Sequence, residues 1–98
     1  MTDLTFAELE RRCADWHEKK YGHRSAAGPR TFAKLAEEFG ELAEAWNDRD
    51  ADALAIEAAD MVIVLIHFVR GAGRSLSAAL VSKLAVIEER LTNPQAGR

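Results

Sequence analysis

Residues 56–69 read IEAADMVIVLIHFV. From Met61 the stretch is almost entirely apolar, yet two acids, Glu57 and Asp60, stand near its start. It lacks the period-two alternation of a half-buried strand and reads as a helix. A helix that is apolar nearly all round packs in the middle of its neighbours. A carboxylate in such surroundings costs free energy unless it is paired, protonated or bound to a metal. Its partners must come from elsewhere in the chain.

Working outward from this stretch, helix signals recur and strand signals do not. Thr5 followed by Glu8 reads as a capping box opening a first helix over roughly 5–20. The segment YGHRSAAGPR (21–30) reads as a loop by its Gly, Pro and Ser content. Thr31 is the expected N-cap of a second helix over roughly 32–47. There Phe32, Leu35, Ala36, Phe39, Leu42, Ala43 and Trp46 recur at helical spacing. NDRD (47–50) makes a short turn, with Asp48 or Asp50 capping a third helix that runs to about Arg70 and stops at Gly71 or Gly73. Ser75 caps a fourth helix over roughly 76–91, and Pro94 and Gly97 mark a loose tail. Short links favour antiparallel neighbours. The expected architecture is all-α: a four-helix antiparallel bundle in one domain, residues 1–98. Three companions barely surround so apolar a third helix. Burial therefore predicts a subunit interface but gives no copy number; the expected assembly is a homo-oligomer, a dimer or tetramer.

Composition excludes several function classes. With 98 residues and a formal net charge of -3, the chain has no general basic field for nucleic acid. Cys13 is the only cysteine, so no internal disulfide forms; this fits a reducing cytoplasm. The start MTDLTFAELERR has no signal-peptide pattern. The apolar run from Met61 to Ile66 is too short to span a bilayer. Cys13 and His17, one turn apart, lack an orienting acid for nucleophilic catalysis. GAGR (71–74) lacks the Lys and Ser/Thr of a phosphate-binding loop and reads as a helix stop.

The acids of helices two and three line up. With Arg49 as the centre of the turn, Glu41 lies eight residues before it and Glu57 eight after; Glu38 and Asp60 lie eleven to either side. In an antiparallel hairpin, equal distance from the turn means equal height. Each pair on one helix is also spaced i, i+3, one turn apart. The spacing predicts four carboxylates facing each other in two tiers. At about 6 Å and an effective dielectric near 20, each pair repels by roughly 3 kcal/mol. Either some are protonated or a cation sits among them. All-oxygen ligands suit a hard ion, Mg²⁺ with Mn²⁺ as the alternative, and the absence of Glu-x-x-His argues against iron. Mg²⁺ commonly shares its shell with substrate phosphates, which points to a phosphate-bearing ligand. Gly40, in the middle of helix two, costs about 1 kcal/mol relative to Ala, a cost explained if something approaches the backbone closely there. The simpler reading, a solvated Glu-rich face with a Lys34–Glu38 pair, suits Glu37 and Glu44. It does not explain Asp60, which lies beyond the first turn of its helix and so beyond the reach of the helix dipole.

EEFGE (37–41) followed by EAAD (57–60) resembles the Glu-Glu-x-x-Glu … Glu-x-x-Asp signature of MazG-like nucleotide pyrophosphohydrolases, within the all-α NTP pyrophosphatases. KLAEEFGELAEA and AADMVIVLIHF match the texture around that motif, and the resemblance covers helices two and three best. It implies cleavage of a (deoxy)nucleoside triphosphate to monophosphate and pyrophosphate, in the manner of nucleotide-pool housecleaning. It places Glu38, Glu41, Glu57 and Asp60 on the Mg²⁺ ligands, with Glu38 or Glu41 taking the proton of the attacking water. Glu37 matches the first Glu of the signature. The resemblance also implies phosphate contacts from Lys83 and Arg90 on helix four, with Ile87 standing where an Asn is usual. It implies base contacts from helix one and the loop after it, where Trp16, His17, Tyr21 and Arg30 stand, and Lys34 completes the candidate substrate contacts. Against these roles, Trp16, Phe32 and Trp46 read more readily as core residues, and His67 as a hydrogen-bonded core histidine rather than a ligand. The competing functions are a nucleotide- or metal-binding module without turnover and a helical interaction module.

Overall fold

The computed structural model describes residues 3–22, 29–93 and 95, with the side chains of residues 29 and 30 left aside. Within them are four helices and no strand: α1 (Phe6–Tyr21), α2 (Pro29–Asn47), α3 (Ala51–Gly71) and α4 (Leu76–Thr92). The all-α expectation holds. No helix is long and apolar enough to cross a membrane.

The helix starts follow their capping chemistry. The Glu8 N–H donates to Thr5 Oγ1 at 3.1 Å, and the Thr5 hydroxyl in turn donates to the Glu8 carboxylate at 2.9 Å. The Ala53 N–H donates to Asp50 at 3.0 Å and the Ala78 N–H to Ser75 at 3.2 Å, which settles Asp50 over Asp48 as the α3 cap. The start of α2 departs from expectation. Thr31 is not the cap; the helix already begins at Pro29. Proline suits that place because its fixed φ is helical and its missing N–H would have had no intrahelical partner. Most of the loop expected at 21–30 lies outside the described residues.

Two helix ends share one device. After α2, the Asp50 N–H reaches back to the Ala45 carbonyl and the Arg49 N–H to that of Trp46. After α3, Arg74 and Gly73 do the same to Val69 and Arg70. Both are Schellman closures, which need a left-handed residue at the penultimate donor. Gly73 supplies it at φ 79°; Arg49 supplies it at φ 55° without glycine's freedom. The Arg49 guanidinium lies 4.7 Å from the centroid of the Trp46 ring. The α2–α3 link is thus three residues centred on Arg49, as the mirror arrangement of the acids requires.

Among the described residues, α3 touches all three other helices, whereas α2 packs only on α3. The α1 helix packs on α3 and α4, and Glu10 ties it to the start of α4. Ser75 Oγ and Ser77 Oγ donate to its carboxylate at 2.7 and 2.9 Å, and the Ser77 N–H at 3.1 Å. Burial pushes the Glu10 carboxyl up, but these hydrogen bonds outweigh it and hold it below its ordinary value. The fully enclosed apolar core is small: Ala45 and Ile66 among the described residues. Trp16, Phe32 and Trp46, read as core candidates, are all exposed. The reason is topological. Neither α1 nor α4 covers the outer faces of α2, so its apolar stripe extends beyond the strip that α3 buries. The α4 helix is exposed along its length from Ala78, including Val81 at 72% and Leu91 at 81%.

Candidate metal and nucleotide site

The hairpin brings three of the four predicted acids together. Glu38 and Glu41 from α2 and Glu57 from α3 each offer a carboxylate oxygen within 4.8 Å of the others. Glu38 is only 4% exposed. Its Oε1 lies 3.1 Å from the Lys34 ammonium, while its Oε2 is buried without a hydrogen-bond partner. The Oε2 of Glu57 is orphaned in the same way. A hydrogen bond with Glu57, then the charge of Glu38, holds the Glu41 carboxyl above its ordinary value. Buried polar groups are nearly always satisfied, so two unpartnered carboxylate oxygens beside a third acid require an explanation. A hard divalent cation fits this donor set: all oxygen, anionic and already converged.

Asp60 is not in that triad. It is exposed and lies with Glu38 on the wall of an adjoining cavity of about 890 Å³. The cavity lies between α1 and α2, over α3. From α1 it takes Cys13, Trp16, His17 and Tyr21. From α2 it takes Thr31, Lys34 and Glu38. Trp16 and Tyr21 meet edge to face at 6.2 Å, and Lys20 lies 5.1 Å over Trp16. Three of the expected substrate contacts, Trp16, His17 and Lys34, therefore share one wall system with the acids. Lys83 and Arg90, on exposed α4, are not among the lining residues. The side chain of Arg30 lies outside what the structure describes. Gly40 has open space where a Cβ would stand, so among the described residues the close approach expected there is absent.

His67 departs from expectation in its hydrogen bonding, not in its burial. It is buried, as expected of a core histidine, but neither ring nitrogen has a hydrogen-bond partner. It lies on the cavity wall, 4.3 Å from the ring of His17 and 6.0 Å from that of Trp16. Burial, then the nearby His17 and Arg70, pushes its pKa down to about 4. Burial and Arg70 also lower that of His17. Both rings are therefore neutral near pH 7, and with Trp16 and Tyr21 they make one stretch of the cavity wall aromatic. The signal lay in spacing: Asp60, Ile63, Val64 and His67 form one helical stripe.

The family model described as phosphoribosyl-ATP pyrophosphohydrolase matches residues 6–81. No curated protein and no solved structure matches the chain significantly. The match spans α1, α2, α3 and the first part of α4, and so includes every acid of the cluster. Such proteins are pyrophosphohydrolases, hydrolases of acid anhydrides acting on a nucleotide-type substrate, and fall within the MazG-like all-α NTP pyrophosphatases. With a matching hairpin, a converged acid triad and a cavity beside it, the chain belongs to the phosphoribosyl-ATP pyrophosphohydrolase family.

Proposed function

We propose that this protein hydrolyses a (deoxy)nucleoside triphosphate to the monophosphate and pyrophosphate in a Mg²⁺-dependent reaction, as nucleotide-pool housecleaning does. One observation carries the reading: two orphaned carboxylate oxygens within an acid triad that adjoins a cavity of about 890 Å³. Glu38, Glu41 and Glu57 would hold the cation, with Asp60 at the cavity edge as the fourth ligand. Bound there, Mg²⁺ supplies neutralisation of phosphate charge and activation of water.

The rest of the work falls to the chain's own side chains. Trp16, His17 and Tyr21 form a wall on which a nucleobase stacks, with the triphosphate running toward the acids. Lys34, on the same cavity, faces the phosphates as a point charge. Glu41 takes the proton of the attacking water. Glu41 is only partly buried and so open to water, whereas Glu38 is buried and paired with Lys34. Water adds at phosphorus, the anhydride bond to the departing pyrophosphate breaks, and the proton stays on Glu41. Within one chain this reading gives Lys83 and Arg90 no phosphate contact.

A second substrate is favoured by the family description: phosphoribosyl-ATP, in which the same anhydride is cleaved and the same pyrophosphate leaves. A pyrophosphate-release assay across the dNTPs, the NTPs and phosphoribosyl-ATP, with and without Mg²⁺, tests both. Turnover of one class identifies the substrate. Binding without turnover supports a nucleotide-binding module instead, and neither binding nor turnover leaves a helical interaction module.

The assembly is proposed to be a homo-oligomer. Leu80, Val81, Leu84, Ile87 and Leu91 on α4 are all exposed, as are Phe32, Phe39 and Trp46 on α2. So many large apolar side chains are more than a small soluble monomer usually leaves in water.

A further inference from the structure

Lys34 makes two ion pairs of different kinds. Its Nζ lies 3.7 Å from Glu37 and 3.1 Å from Glu38. The Glu37 side chain is 59% exposed, so that pair is solvated and worth little. The Glu38 side chain is 5% exposed, and its second oxygen has no partner. A carboxylate so buried needs a cation. Lys34 serves as that cation from a half-exposed position, on a flexible stem, at the cavity wall. It can leave without moving a helix. An ammonium in contact with Glu38 and a divalent cation held by the same carboxylate repel each other. A cation that takes both Glu38 oxygens must take Oε1 from the ammonium.

We infer that Lys34 is an exchangeable counter-ion, holding Glu38 in the metal-free protein and moving to the phosphates of the bound nucleotide when a divalent cation displaces it. The inference rests on the metal-binding reading above and adds a coupling to it. Displacing Lys34 opposes cation binding, and the phosphates reward the displaced ammonium. Cation and phosphate thereby favour each other's binding, a reciprocal linkage.

The test is calorimetry on the full chain with two probes, Mn²⁺ alone and the preformed Mn²⁺–pyrophosphate complex, for wild type, Lys34→Met and Lys34→Arg. Lys34→Met is expected to bind Mn²⁺ alone about fivefold more tightly or better, and the complex about fivefold more weakly or worse. Lys34→Arg keeps the charge and stays within about twofold of wild type for both probes. The opposite signs are the signature, because a merely structural lysine would weaken both probes together. If Lys34→Met binds Mn²⁺ no more tightly than wild type, the exchange is overturned while the metal site stands. If no variant binds Mn²⁺, the acid site itself fails and takes the exchange with it. Glu57→Gln, which should abolish Mn²⁺ binding in every background, marks that baseline.

Discussion

The rings of His17 and His67 lie 4.3 Å apart, centroid to centroid, and the deeper of the two has no hydrogen-bond partner on either nitrogen. Protonating His67 would place a charge in a buried site beside another imidazole and Arg70. Its folded pKa of about 4 lies below the ordinary 6.5, so between those values the unfolded chain binds more protons than the native one. Stability therefore rises with pH through that window and falls as the solution is acidified toward 4. The loss across the window is on the order of 2 kcal/mol, and His67→Phe should remove it. Thermal melts of both proteins between about pH 7 and 4 measure this; parallel curves would show that His67 does not set the slope.

Glu57→Gln removes one charge from the triad and the partner that raises the Glu41 pKa. Wild type should be stabilised by Mn²⁺, by about 2.7 kcal/mol at a hundred times Kd. The variant should lose that gain yet melt no lower without metal, because like-charge repulsion is relieved. Its turnover should fall by more than the roughly 100-fold lost when a residue merely supporting a ligand is changed. Full activity in this variant would remove the assigned site.

Gly40→Ala should stabilise the chain. Among the described residues nothing lies within 4 Å of the added Cβ, and alanine is about 1 kcal/mol better than glycine in a helix interior. A rise in Tm of about 4–8 °C follows for a domain of this size. A fall instead would reveal that another copy of the chain covers this face.

The paired helix ends offer a matched comparison. Gly73→Ala should cost about 1 kcal/mol, since a Cβ is strained at φ 79°. Arg49→Gly relieves the same strain but gives up the contact with Trp46, for a net gain of about 0.5 kcal/mol. Denaturant unfolding of the two variants should shift in opposite directions.

The exposed row on α4 predicts assembly. Light scattering should give a mass above that of one chain, and Leu84→Glu together with Ile87→Glu should reduce it by placing charges in an apolar contact. A wild-type protein that runs as a monomer at all concentrations would refute the assembly.

What was legible in the sequence is what local rules decide. Thr5, Asp50 and Ser75 cap the helices they were expected to cap, because an N-cap depends on a side chain and an N–H three residues later. The meeting of Glu38, Glu41 and Glu57 was readable because a short hairpin turns sequence distance from Arg49 into height. What lay beyond the sequence depends on which helix faces which. That α2 packs on α3 alone decides that Phe32 and Trp46 are exposed, and no periodicity in α2 records the absence of a neighbour. Likewise the stripe through Asp60 and His67 would look the same on a packed face. Only the gap that α1 and α2 leave over α3 makes it the wall of a cavity, with Asp60 at its edge and His67 stranded without a partner.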